Sequence, residues 1–228
     1  MTRLIDLSHE IEPGMVTYPG LPGPVVSDFL SREASRGKYA EGTTFAIARV
    51  DMVANTGTYV DAPFHRFVAG KDVGSLPLDK LADLEGVVVD ATRAGRTIGP
   101  ELFDGLDLRG KAVLVNTGWS RHWRTAAYLD GHPYLTRPAV ERLVAARPAL
   151  VGIDSLNIDD TRDGTRPAHT LLLESEVPVV EHLTNLEELP ARGFRFHCAP
   201  APFHGLGTFP VRAYAVLDDD AGGLSARR

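Results

Sequence analysis

Short apolar runs with little polar alternation recur along the chain, at Val87–Val89, Ala112–Val115, Leu150–Ile153, Val177–Val180 and Val211–Val216. They have the length of strands and the composition of strands covered on both faces. Ile5–Leu7 and Phe45–Val53 alternate more and read as edge strands. Helical periodicity is rarer. Thr136 is an N-cap candidate, Pro138 an early helical proline, and 139–146 carries apolar residues at helical spacing until Pro148 ends the segment. Ser120–Leu129 reads as a second helix, and Leu76–Leu81 and Asn185–Leu189 as single turns. The pattern predicts an α/β fold with a mixed sheet and many loops available for function. Gly and Pro (22 and 16 residues) are scattered over short turns, and there is no repeat or low-complexity linker, so residues 1–228 read as a single domain.

Composition narrows the function classes. The chain has 228 residues, a formal net charge of −6, 43% apolar and 24% charged residues, an ordinary globular balance. Mild acidity argues against nucleic acid or an anionic membrane as the main partner, since both demand clustered Lys and Arg. Cys198 stands alone, which excludes an internal disulfide and suits a reducing, cytoplasmic setting. No apolar run approaches the ~18 residues of a membrane span, and no signal-peptide core follows Met1.

Three stretches concentrate chemistry. In Asn55-Thr-Gly-Thr-Tyr-Val-Asp-Ala-Pro-Phe-His65, a carboxylate precedes an imidazole by four positions, bracketing Ala62-Pro63. Asp61 and His65 either converge on one point or serve a short helix, with Asp61 as its N-cap. The second stretch holds Asp154 and Glu181, each following an apolar strand, and His169 in a polar loop. A carboxylate at a strand end serves equally as a cap or turn residue. In the third, Ala199 to Arg212, the Gly205-Leu-Gly207 element lacks the Lys-Ser/Thr of a phosphate loop. It reads as a close approach of backbone or as a pocket wall.

In order and spacing, Ile5-Asp-Leu-Ser-His9, Tyr18-Pro-Gly20, Thr56-Gly-Thr58, Asp61-Ala-Pro63 with His65, Asn116-Thr-Gly-Trp119, Gly152-Ile-Asp-Ser155, Glu181 with Asn185-Leu186, and Pro210-Val-Arg-Ala213 resemble the cyclase family that contains bacterial kynurenine formamidases and isatin hydrolase. The resemblance spans nearly the whole chain. It implies a swivelling β/β/α fold, metal-assisted hydrolysis of amide or lactam bonds with Zn or Mn, and assembly as a homo-oligomer, dimer or tetramer. It also implies an aryl-formamide substrate, N-formylkynurenine above others, and hence a place in tryptophan catabolism. Carried over by motif, the proton shuttle falls on His65 and the metal ligands on Asp61, His169 and Glu181.

The chain departs from the family signature at two places. Asn55 and Tyr59 stand where the pattern has its first two metal-binding histidines, and the family's Glu-Asn-Leu becomes Glu181-His182-Leu183. Neutral Asn and un-ionised Tyr are poor Zn ligands. Two arrangements follow. In one, Asp61, His169 and Glu181, with or without His65, hold a single divalent metal and His65 moves protons. In the other the site is metal-free: Asp61 orients His65, while Tyr59 and Asn55 donate to a developing oxyanion. The corresponding alternatives to hydrolysis are a cyclase or lyase of secondary metabolism and a non-catalytic binding protein. Tyr18, Phe64, Trp119 and Trp123 are candidates to line an aromatic pocket, Arg212 to meet a carboxylate, and His204 to replace a missing ligand. A Cys198–His197 nucleophile pair is disfavoured, because adjacent side chains on an extended segment point apart.

Overall fold

In the computed structural model, which describes residues 2–218, the central apolar runs become the parallel heart of one curled sheet. In chain order the elements are β1 (Thr2–Asp6), β2 (Val25–Leu30), β3 (Ile47–Asp51), β4 (Tyr59–Asp61), β5 (Leu84–Asp90), β6 (Thr97–Ile98), β7 (Ala112–Asn116), β8 (Tyr134–Leu135), α1 (Arg137–Ala146), β9 (Leu150–Ile153), α2 (Pro167–Glu174), β10 (Val179–Glu181), β11 (Arg192–His197), β12 (Thr208–Pro210) and β13 (Tyr214–Asp218). The nine-stranded sheet runs β1-β13-β11-β5-β7-β9-β10-β4-β12. Strands β5, β7, β9 and β10 are parallel, and antiparallel strands extend both sides. The α/β fold with a mixed sheet is as the pattern predicts.

Two apolar clusters explain why β7 and β9 are buried at every residue. Val113, Val115, Val151 and Ile153 face one cluster with Val140 and Leu143 of α1 and Leu172 and Leu173 of α2. Leu114 and Leu150 face the other with Val60, Val180, Phe194 and Phe196, contributed by the sheet's own curl. Adjacent strand residues point to opposite faces, so both faces are apolar until β7 ends at Asn116, whose Oδ1 accepts from Gly118 N in the turn that follows (3.1 Å). Helix α1 begins where expected, with Ala139 N donating to the Thr136 hydroxyl and Pro138 in the first turn.

The structure corrects several expectations. Ser120–Leu129 is not a helix. It forms two 3₁₀ turns, Trp119–His122 and Ala126–Leu129, separated by Arg124 at φ +64°, and the Thr125 hydroxyl donates to the His122 carbonyl, ending the first turn. The supposed loop around His169 is the helix α2, whose start is marked by Pro167 in its first turn. The Phe45–Val53 run shortens to β3 and pairs only with β2, as a ribbon apart from the main sheet. Leu76–Leu81 and Asn185–Leu189 each contain one 3₁₀ turn.

Candidate active site

Strand β4 lies between β10 and β12, and its register assembles the site. Tyr59 is paired opposite Glu181, and Asp61 opposite Thr208. Directly opposed antiparallel residues place their side chains on the same face. Accordingly the Tyr59 hydroxyl donates to Glu181 Oε2 (2.7 Å), and the Thr208 hydroxyl donates to Asp61 Oδ1. The intervening Val60 and Val180 point into the opposite core cluster. After β4, the 3₁₀ turn Pro63–His65 brings His65 back toward the strand. Its Nδ1 lies 2.9 Å from the Thr208 hydroxyl and 3.8 Å from Asp61 Oδ1. The Asp61 side chain caps no helix here, so the N-cap reading does not hold. Gly207 permits this closeness, since a Cβ there would sit 2.5 Å from His65 Cα, and its carbonyl accepts from Ala62 N (2.7 Å). The Gly-Leu-Gly element is thus a close-approach device.

Helix α2 delivers His169 in its first turn. Buried Asp159 accepts from Ala168 N (2.6 Å), from His169 N (3.0 Å) and, through Oδ2, bonds His169 Nδ1 (2.7 Å). With Nδ1 as donor, Nε2 faces Asp61 Oδ2 at 3.6 Å and Glu181 Oε1 at 3.7 Å. Two buried carboxylates around one ring nitrogen favour positive charge there, a proton on Nε2 or a cation, and otherwise a proton on one carboxyl. Burial pulls His169 toward neutrality, but Glu181, Asp159 and Asp61 outweigh it and hold the imidazole well above its ordinary value. Burial raises Asp61, yet His169 and His65 leave its carboxyl below the usual range. Burial, opposed by His169, leaves Glu181 pushed up to about 7.

Behind these groups runs a directional chain. With the Tyr59 hydroxyl donating to Glu181, His182 Nε2–H donates to the Tyr59 oxygen (3.3 Å) and Nδ1 accepts from the Tyr128 hydroxyl (2.8 Å). Burial pushes His182 down to about 3, so it remains neutral. Burial, with the charges of Glu181 and Asp61, raises Tyr59 well above 10. Tyr59 is therefore a neutral phenol whose single proton is engaged, which removes it as an oxyanion donor and leaves it holding Glu181 in place. Ile158 N (2.7 Å) holds the other Glu181 oxygen.

The group opens into a cleft of about 460 Å³ lined by Tyr18–Leu21, Asn55, Tyr59, His65, Arg66, Asn157, Arg166, His169 and Glu181. Tyr18 and Asn55 thus line it, and Phe64, Trp119, Arg212 and His204 do not. Trp119 Nε1 donates to the Tyr128 carbonyl (3.1 Å), and Trp123 stacks on His9 with centroids 4.0 Å apart. Arg212 pairs with Asp6 (2.6 Å), while fully exposed His204 reaches only Asp72 (3.1 Å). Asp154 is buried and accepts from Thr117 N and its hydroxyl. Cys198 is a core residue whose thiol burial pushes up, and His197 stacks on Tyr214. Sequence reading missed Asp159, Thr208, Asn157, Tyr128 and His182. Asp159 precedes Pro167 by eight residues, and no local pattern links it to His169.

The donor set suits a divalent ion. Asp61 Oδ2 is buried and accepts no hydrogen bond, and among the described residues Asp61, His65 and His169 place one ligand atom each within 4.8 Å of the others. Glu181 lies outside that mutual group, with its Oε1 3.7 Å from His169 Nε2.

The Cyclase family, described as "Putative cyclase", matches residues 5–160. The chain belongs to this family. It is 26% identical over 215 residues to a kynurenine formamidase of Geobacillus thermodenitrificans (strain NG80-2), covering 93% of this chain and 97% of that protein. An isatin hydrolase bound to the product analogue thioisatinate shares the fold, with a TM-score of 0.80 at 22% identity, over 95% of this chain and 92% of that one. A structure described as "predicted metal-dependent hydrolase from Bacillus stearothermophilus" matches at 25% identity with a TM-score of 0.74, over 95% of this chain and 98% of that one. Among the described residues, no helix is long and apolar enough to cross a membrane.

Proposed function

We propose that this cyclase-family chain hydrolyses amides of the aryl-formamide kind, with N-formylkynurenine as its preferred substrate and His65 as the group that moves protons. The observation that carries the reading is the Asp61–Thr208–His65 relay at the cleft floor. The Thr208 hydroxyl donates to Asp61, so the Nδ1–H of His65 donates to the Thr208 oxygen and Nε2 carries no proton. The ring is 37% exposed, enough to meet a water or a leaving nitrogen in the cleft. Nε2 takes a proton from the attacking water and returns it to the departing amine, work worth about 10²–10⁴ in rate. Asp61 stabilises the imidazolium formed in between. Asn55, on the cleft wall, hydrogen-bonds the Tyr59 oxygen and stands where the substrate would enter.

Zn or Mn would be held by Asp61 and His169 with Glu181 as third ligand, and would supply a Lewis acid and a more acidic bound water. The kynurenine formamidase relative and the structure described as a metal-dependent hydrolase support the reading. His65 competes with Glu181 for the third place. Elemental analysis of protein purified without chelator separates the two: loss of the ion in Glu181→Ala alone leaves His65 free for proton transfer, whereas loss in His65→Ala assigns it to the ion. Turnover of N-formylkynurenine that falls at least ~100-fold in His65→Gln supports the reading. Absence of turnover of formamides and lactams by wild type loaded with either metal would overturn it.

The chain acts as a homo-oligomer in this proposal, docking the β2–β3 ribbon onto a second copy. A lone two-stranded hairpin is marginal in water, yet Val25, Val26, Phe29, Tyr39, Phe45, Ile47 and Val50 on and beside it are 44–75% exposed. They present roughly 700 Å² of surface, close to one side of a standard interface. Phe29→Lys with Val50→Lys should yield a smaller species in light scattering; an unchanged mass would refute the interface.

A further inference from the structure

The cleft wall carries two cations that the proposed chemistry does not use. Arg66 directly follows His65, and Arg166 precedes His169 by three residues, so each imidazole has a guanidinium on its own local element. Among the described residues, neither guanidinium has a carboxylate oxygen within 4.0 Å. Nearby acids are engaged elsewhere. Asp160 pairs with Arg96 (2.8 Å), Asp159 holds His169, and Asp163 accepts from the Thr165 hydroxyl and N–H. Arg166 is steadied by neutral acceptors alone: Asn157 Oδ1 (3.5 Å), the Asp160 carbonyl (3.4 Å) and the Thr161 carbonyl (3.3 Å). Its backbone sits in the left-handed region at φ +46°, an unfavourable conformation for a residue with a Cβ. Arg66 rests its Nε on the Thr170 hydroxyl (3.4 Å), with its guanidinium 5.3 Å from the Phe67 ring centroid.

Guanidinium groups left without a carboxylate, in a cleft whose floor already holds acids, suit an anionic ligand. The planar fork of Arg matches a carboxylate through two parallel N–H bonds, and such charge-assisted contacts are about twice as strong as neutral ones. We propose that Arg66 and Arg166 form a carboxylate-binding subsite, so that the cleft selects amides carrying a carboxylate at the end away from the scissile bond. The inference rests on reading the cleft as the substrate site, and it commits the substrate class to acidic amides. A neutral amide of equal size reaches the same floor without that anchor.

The experiment pairs binding with turnover so that the two readings fail separately. Calorimetry with benzoate and with benzamide, at low and at raised salt, reports the subsite without any reaction. The expected result is that wild type binds benzoate at least about tenfold tighter than benzamide, that salt erodes the difference, and that Arg66→Gln/Arg166→Gln reduces it to less than about threefold. Thermal melting of this variant near the wild-type temperature shows that the fold persists, and single Arg→Lys variants retain charge but should recover only part of the preference. In parallel, the ratio of kcat/KM for a carboxylated aryl formamide to that of its methyl ester should collapse toward one in the double Gln variant. Equal affinity of wild type for benzoate and benzamide, or a preference unaltered in the double variant, would overturn the subsite. Selective benzoate binding with no hydrolysis of either formamide would keep the subsite and overturn the hydrolase reading.

Discussion

Replacing Asp159 by Asn tests the interaction on which His169 depends most directly. Asp159 is fully buried and accepts three hydrogen bonds, two from the first turn of α2 and one from the His169 ring. An Asn amide has the same shape but one acceptor oxygen. With that oxygen in the Oδ2 position, both His169 contacts survive as neutral bonds and the new NH₂ faces Ala168 N–H. In the opposite flip, both His169 contacts are lost. Converting two charge-assisted bonds to neutral ones costs about 1 kcal/mol each, and a buried unsatisfied N–H adds about 1–3 kcal/mol, so the total loss is about 3–5 kcal/mol. Urea unfolding should show the midpoint falling with no change in slope. Under conditions where the variant is folded, kcat for N-formylkynurenine should drop by roughly 10–100-fold, because a neutral amide that can flip holds the His169 ring and its tautomer less firmly than the carboxylate does. A stability change below about 1 kcal/mol together with unchanged kcat would refute the role assigned to Asp159.

Gly207→Ala places a Cβ 2.5 Å from His65 Cα, so it should cost about 1–3 kcal/mol in thermal melts and lower kcat by displacing His65. Thr208→Val removes the donor to Asp61 and the acceptor for His65 Nδ1; kcat should fall about tenfold or more in steady-state assays, with little change in fold by circular dichroism. Asn55→His with Tyr59→His should raise Zn or Mn affinity in competition titrations, since imidazole is the better ligand; unchanged affinity would mean that these positions do not address the ion. His9 gives a pH prediction. Burial lowers it from 6.5 to about 4, and its Nε2 has no partner. The unfolded chain therefore binds one more proton than the native state between those values. Stability attributable to His9 is present above pH 6.5 and drains as pH falls toward 4, at up to about 1.4 kcal/mol per pH unit. Urea titrations of wild type and His9→Gln should show a shallower acid slope in the variant.

Much of the frame was legible in the residues themselves. Runs such as Ala112–Val115 and Leu150–Ile153 have no polar alternation, because both faces of those strands are covered. Thr136 and Pro138 mark the start of α1 for reasons local to a helical turn. Asp61 and His65 were bound to be neighbours, since only a proline turn separates them. The resemblance to the cyclase family added Glu181 and His169, which nothing in their immediate surroundings would have joined to that pair. The rest was settled by strand register and by one helix docking. Tyr59 meets Glu181 across 122 residues of chain and Thr208 meets Asp61 across 147, and sliding β4 by one residue would turn those side chains to the other face. Tyr59 is a positioning phenol rather than an oxyanion donor because its one O–H donates to Glu181 on the neighbouring strand. Asp159, Arg66 and Arg166 show the same limit: a charged side chain carries no sign in sequence of which partner it finds. Apolar pattern and local capping act over a few residues and can be read there, whereas the orientation of a hydrogen bond or the want of a counter-ion exists only once distant segments share one cleft.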